Sequence, residues 1–245
     1  MSQLIDRFVE VYENNLVLHE QVASAAEQRC RSLLEENQIS AVVTSRAKCP
    51  TRLREKLEKR NPELQYNTEA EIRSNIPDLS GVRIALYLPS QQKDVIRLLQ
   101  QIFVPILVKI YDSTPKSEHS PYDSPQDFEV EKESIIPDVP TQHIFRPTGY
   151  HAVHLHMRTR ADDDSFPKHW PPSEAAVFEI QITTLLMHAW SEVDHDLAYK
   201  CHGDEPSTEE TRVLNEINRN IVASEGLLRQ LEELVQNRNV SRRAN

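Results

Sequence analysis

The sequence predicts a mixed α/β (α+β) fold, a sheet flanked by helices with helical extensions at both ends. Two observations carry this. Strand-like alternation appears in "GVRIALYLP" (81–89) and "VFEIQIT" (177–183), and apolar residues recur at helical spacing before, between and after such runs.

In chain order, residues 1–39 read as helix, with Phe8, Tyr12, Leu16, Leu33 and Leu34 near helical spacing. "AVVTSRAK" (41–48) alternates like a strand and puts Val42, Thr44, Arg46 and Lys48 on one face. Pro50 then opens a helix, at the position where a missing N–H costs least, with Leu53 and Leu57 facing inward. In 81–89, Val82, Ile84, Leu86 and Leu88 share one face, and Arg83, Ala85 and Tyr87 the other. Residues 91–103 read as helix, and 112–142 as a long polar surface insert rich in Pro, Ser, Asp and Glu. Strands follow in "GYHAVHLHMR" (149–158) and, after a polar loop at 161–174, in 177–183. A helix over 184–199 buries Leu186, Trp190, Val193 and Leu197, with Thr183 or Thr184 as cap. The last helix, 208–237, carries a near-heptad stripe of Leu214, Ile217, Ile221, Leu228, Leu231 and Val235, suited to docking on the body or to a subunit interface.

Composition narrows the function. A net charge of −10 argues against general binding to nucleic acid or anionic membrane. No apolar run is long enough to span a bilayer, and the N-terminus mixes charge into its apolar positions, unlike a signal peptide. Three scattered cysteines form no zinc or disulfide framework and suit the cytoplasm. Only four glycines occur, none spaced as in a P-loop or dinucleotide fingerprint, so phosphate binding must rely on side chains.

Four constellations could carry chemistry. Between Arg46 and Arg60, seven cations face two acids, which suits a triphosphate or a solvated helix face. Asp78, in the turn before the 81–89 strand, suits Mg²⁺ or simply the turn, and Arg83 leaves the strand on its polar face. Glu179 and Gln181 share the face opposite Phe178, Ile180 and Ile182. A mid-strand glutamate needs a partner, so Glu179 either completes a two-carboxylate metal site with Asp78 or lies on a wet face. Tyr150 can stack on a base. His154 with His156, or His188 with Glu192 and His195, suggest zinc, but neither set matches HExxH, and hydrogen-bonded histidines are the better reading.

In this order the stretches resemble the synthetase domain of the RelA/SpoT family, most of all its small single-domain members. "SRAKCPTRLREKL" resembles the family's Arg-x-Lys and following helix, "DLSGVRI" its Asp-x-x-Gly-x-Arg strand, "GYHAVH" its Gly-Tyr-x-x-x-His, and "EIQITT" its Glu-x-Gln element. The resemblance implies a nucleotidyltransferase-like mixed sheet over residues 40–200, between an N-terminal helical segment (1–39) and a C-terminal helical extension (201–245). It implies pyrophosphate transfer from ATP to the 3′-hydroxyl of GDP or GTP, making alarmones, with no hydrolase half. Asp78 and Glu179 would hold Mg²⁺. Arg46 and Arg83 would sandwich the adenine, and Lys48 and Lys56 would bind its phosphates. Tyr150 would stack on the acceptor base, His154 and Gln181 would line the reaction centre, and Asp194 would face the acceptor.

Departures gather on the acceptor side. The family's Arg is Thr183, its Arg-Ser is His151-Ala152, its frequent Asn is His188, its Glu is Asp194, and its Lys-rich approach is reduced to Arg146. An adenine nucleotide or the 3′ end of tRNA therefore stand as alternative acceptors, and an inactive nucleotide-binding regulatory module as the alternative to an enzyme. A homo-oligomer would form through the C-terminal helices.

Overall fold

The computed structural model describes residues 2–112, 135–145, 150–160, 163–167, 176–194 and 207–243. Most of the 112–142 insert, along with Arg146, Gly149, His195 and Leu197, lies outside them.

The elements run α1 (Ser2–Asn14), α2 (Leu16–Glu36), β1 (Ala41–Ala47), α3 (Pro50–Leu64), α4 (Glu69–Asn75), β2 (Ser80–Leu86), α5 (Gln92–Ile102), β3 (Val104–Asp112), β4 (Thr141–Phe145), β5 (Ala152–Arg158), β6 (Val177–Thr184), α6 (Leu185–Asp194) and α7 (Thr208–Arg243). Short 3₁₀ turns at Pro77–Leu79 and Pro89–Gln91 flank β2. The fold is mixed α/β, with one six-stranded sheet in the order β1-β2-β6-β5-β3-β4. β2 pairs β6 in parallel and β3 pairs β4 in parallel; the other neighbours are antiparallel.

One face of this sheet is the core. Val43, Val82, Ile84, Val153, Leu155, Ile180 and Ile182 project there and meet Val22, Ala26, Cys30 and Leu34 of α2 and Val95, Ile96 and Leu99 of α5. A second apolar cluster joins α1 to α3 and α4 through Phe8, Tyr12, Leu53, Leu57, Ile72 and Ile76.

Several expectations are corrected. The N-terminal helix is two helices, broken at Asn15, whose side chain takes the Val11 carbonyl at 2.7 Å and so competes with the helical ladder. β2 stops at Leu86, and Tyr87 and Leu88 are exposed before the turn at Pro89. The strand expected from Gly149 begins at Ala152. Val193 is exposed rather than buried, and Met187 joins Trp190 in the buried face of α6. Among the described residues of α7 the fully buried ones are Asn218 and Glu225, while Ile217 and Leu231 are exposed. Leu214, Ile221, Leu228 and Val235 of the expected stripe are half-buried on the same face, so the helix docks through most of that stripe with Asn218 and Glu225 set into it. The sequence reading also missed β3, β4 and α4. The last of these carries a complete capping box, Thr68 with Glu71.

Candidate active site

Opposed residues in a sheet share a face, so the register fixes what lies beside what. On the face away from the core, Thr44, Arg83, Gln181, His154 and Lys109 form one row across β1, β2, β6, β5 and β3. Arg46, Gly81, Glu179 and His156 form the next. Together with Asp78, the β1, β2 and β6 members of these rows line a cleft with about 390 Å³ of open space.

Asp78 sits in the 3₁₀ turn that leads into β2, at the cleft's end. Lys48, one residue past β1, donates to its Oδ2 at 2.5 Å, and Lys56 of α3 reaches both carboxylate oxygens at 3.2 Å. Burial alone would raise the Asp78 pKa, but the two ammonium groups hold it below the ordinary value, against the opposing charge of Glu179. Lys56 is itself pushed down by burial, with Asp78 offsetting part of that effect.

Glu179 is buried under its neighbours. Gln181 Nε2 donates to its Oε1 at 2.6 Å, and His154 Nδ1 lies 3.1 Å from the same atom. His156 Nε2 is 3.4 Å from Oε2, close but too poorly aligned to count as a hydrogen bond. Burial pushes the carboxyl up, yet His154 and the contacts from His156 and Gln181 outweigh it and hold it well below the usual range. Both carboxylates are thus ionised at neutral pH.

Arg83 leaves β2 toward α6. Its guanidinium pairs with Glu192 at 2.5 Å, lies 3.3 Å from His188 Nδ1, and reaches Gln181 Oε1 at 3.4 Å. Arg46 is exposed at the cleft's lip. On the β5 side, Tyr150 Oη lies 3.1 Å from His154 Nε2, and the Tyr111 ring packs against both Tyr150 and His154. With Nδ1–H donating to Glu179, Nε2 is left to accept the tyrosine proton. A chain therefore runs from Tyr150 through His154 to Glu179.

The structure thus brings Arg46, Asp78, Arg83, Glu179 and Gln181 into one cleft, with Lys48, Lys56 and His154 one contact behind them and Tyr150 bonded to His154. Asp194 ends α6 and is not among the cleft-lining residues. Sequence reading paired His156 with His154 but did not place it beside Glu179, and it missed Tyr111. Tyr111 lies on β3, a strand that was itself missed.

Two ionised, oxygen-only ligands beside one another fit a hard divalent cation such as Mg²⁺, which takes one or two carboxylates and completes its shell with phosphate oxygens and water. Among the described residues, no group of three or more His, Cys, Asp or Glu side chains is arranged to hold a metal ion.

The mixed sheet gathers two carboxylates, Asp78 and Glu179, and four cations, Arg46, Arg83, Lys48 and Lys56, at or just behind one cleft. Residues 45–204 match the family model of the region found in RelA / SpoT proteins, and the chain belongs to that family. No curated protein matches the sequence. Among solved structures, small alarmone synthetase 1 from Bacillus subtilis is similar at 20% identity and a TM-score of 0.63, over 93% of this chain and 99% of that one. The same Bacillus protein bound to its product pppGpp matches at 19% identity and a TM-score of 0.55, and bound to AMPCPP at 19% and 0.57, each over 93% of this chain and 99% of that one. These likenesses show the fold. No described helix is long and apolar enough to cross a membrane.

Proposed function

We propose that the protein is a pyrophosphokinase of the cytoplasm that transfers pyrophosphate from ATP to the 3′-hydroxyl of GDP or GTP. The observation that carries this is the convergence of Asp78 and Glu179, both held ionised, with Lys48, Lys56, Arg46 and Arg83 around one cleft. Family membership and the nucleotide-bound Bacillus relatives support the reading.

In this reading Asp78 and Glu179 hold Mg²⁺, which neutralises charge on the phosphates when bound. Arg46 and Arg83 stand diagonally across β1 and β2, about 7–8 Å apart at the backbone, with room for a planar base between them. Lys48 and Lys56 turn from Asp78 to the phosphates. Tyr150 stacks on the acceptor base, and Gln181 and His154 keep Glu179 oriented. The depressed pKa of Glu179 makes it a weak base, so its work is to hold charge rather than to take the hydroxyl proton. A regulatory module without catalysis would have no need of both carboxylates.

One observation keeps a second acceptor class in view. His151 and Thr183, two of the acceptor-side departures, are engaged in structure: His151 Nε2 bonds Glu225 of α7, and Thr183 Oγ1 donates to the His151 carbonyl at 3.3 Å. An adenine nucleotide or the tRNA 3′ end is that second class. Exposed Ile217, Leu227, Leu231 and Leu234 on α7 support a homo-oligomer through these helices, checked by sedimentation equilibrium.

The test mixes protein, Mg²⁺ and γ-labelled ATP with GDP, GTP, AMP, ATP or tRNA in parallel, with Glu179→Gln as control. A new labelled guanine nucleotide, lost in the control, is the expected result. Transfer only to another acceptor would replace the guanine reading. ATP bound without transfer would favour the regulatory module.

A further inference from the structure

Tyr12 lies in α1, outside the 45–204 stretch that matches the family. It is buried, and its hydroxyl reaches the Lys48 carbonyl at 2.6 Å and the Leu79 carbonyl at 3.1 Å. These acceptors belong to two separate chain segments. β1 and β2 stop pairing at Ala47 and Ser80, and Lys48 and Leu79 lie one step past that last pair. The Lys48 N–H to Leu79 carbonyl bond, 2.9 Å, adds a final rung. Tyr12 fastens the other side of it. The side chains borne on this junction are Lys48 and, next to Leu79, Asp78, which bond each other at 2.5 Å.

α2 repeats the device one residue on. Ser80 Oγ donates to the His19 carbonyl at 3.1 Å, and His19 Nδ1 lies 3.1 Å from the same oxygen. The Tyr12 and His19 rings pack at 4.7 Å, so both ties share one support. Without the Tyr12 proton, the Lys48 carbonyl would keep no hydrogen-bond donor among the contacts described for it. A carbonyl shielded from most of the solvent rarely stays so, and the junction would rearrange.

We infer that Tyr12 is a positioning residue of the donor site: the N-terminal helix pair sets the geometry of Lys48 against Asp78, and so the affinity for the triphosphate and its metal. The inference rests on the donor-side reading above.

The test measures binding of a non-hydrolysable ATP analogue with Mg²⁺ by calorimetry, and kcat/KM for ATP and for the acceptor separately. The variants are Tyr12→Phe and Val9→Ala, the second a cavity in the same apolar cluster at a side chain that has no hydrogen bond to offer the junction. All runs are made well below the lowest Tm. Tyr12→Phe is expected to weaken analogue binding and lower kcat/KM for ATP about tenfold, leaving the acceptor KM unchanged. Val9→Ala is expected to lower Tm but leave both kinetic constants as in wild type. Unchanged ATP binding in Tyr12→Phe, or the same loss in Val9→Ala, overturns the inference. If Tyr12→Phe fails to fold, Ser80→Ala cuts the α2 tie and is read the same way. A wild-type protein that neither binds the analogue nor transfers pyrophosphate overturns the donor-site reading itself, and the inference with it.

Discussion

Gly81 stands between Arg46 and Glu179 in one row of the open face, so the cleft floor is bare where a side chain would fill it. A Cβ there would meet only the Glu179 and Arg46 carbonyl oxygens, at 3.7 and 3.9 Å, which is ordinary contact. Gly81→Val should therefore fold, with stability changed by less than about 1 kcal/mol because a β-branched residue suits a strand. It should weaken ATP-analogue binding by at least ~10-fold. An unfolded variant, or one that binds as wild type, would contradict the placement of the nucleotide over Gly81. His19 is the second residue with a clear consequence. Burial, helped by the charge of Arg73, lowers its pKa from 6.5 to about 4. Between these values the unfolded chain binds the proton and the folded one does not. Stability is then fully present above about pH 6.5 and is lost as pH falls toward 4, roughly 3 kcal/mol in all, of which roughly 2 kcal/mol is gone by pH 5. His19→Asn keeps a polar group near Ser80 and cannot titrate. Urea unfolding at pH 7.5 and 5 should show the wild type losing roughly 2 kcal/mol more than the variant. Equal losses would remove His19 as the acid-sensitive group.

At the scale of elements, α6 and α7 meet at Thr184. Its hydroxyl donates to Glu225 of α7 and accepts the Met187 N–H at 3.1 Å, capping α6. Glu225, buried, also pairs with His151. Thr184→Ala removes the cap, about 1 kcal/mol, and one donor to a buried carboxylate, about 1–3 kcal/mol. Thr184→Ser keeps both bonds and should lose less than about 1 kcal/mol, so the two variants must separate in urea midpoint. If they coincide, the hydroxyl does not join the helices. Of this seam the sequence showed only the cap, offered as Thr183 or Thr184; the bond to Glu225 was not legible, because a carboxylate at a helix position reads as solvent-facing until a distant partner is known. β1, β2, β5 and β6 were legible, since each alternates apolar with polar residues and only one of its faces is core. β3 was not: it starts with Val104-Pro105, and most of its residues are half-buried, so no clean period shows. β4 is five residues at the sheet edge inside a polar stretch. The site divides in the same way. Asp78, Arg83, Glu179 and Gln181 could be picked from local pattern and family likeness, though pattern alone left a wet sheet face equally good. Tyr12, His19 and Glu225 act through contacts that only the folded chain creates.

Over the whole molecule, charge decides between acceptors. The chain carries 38 acidic against 28 basic side chains, a net of −10, yet four cations gather at the cleft. At physiological salt, charges farther than about 8 Å are largely screened. A mononucleotide that enters the cleft thus meets mainly the local cations. A tRNA extends far beyond that distance and must lay phosphates along a surface that is acidic on balance, where few counter-ions are released on binding. GDP or GTP should therefore compete with one another for the acceptor site at 0.15 M salt, and tRNA should compete with neither. The affinity for tRNA should stay weak even as salt is lowered, because the surface outside the cleft offers net repulsion once screening is relaxed. Competition assays against a labelled guanine nucleotide at 0.05 and 0.15 M salt check this. Displacement by tRNA at micromolar concentration, growing steeply as salt falls, would mean that a basic track extends beyond the cleft, and would move the acceptor from a free nucleotide to the RNA end.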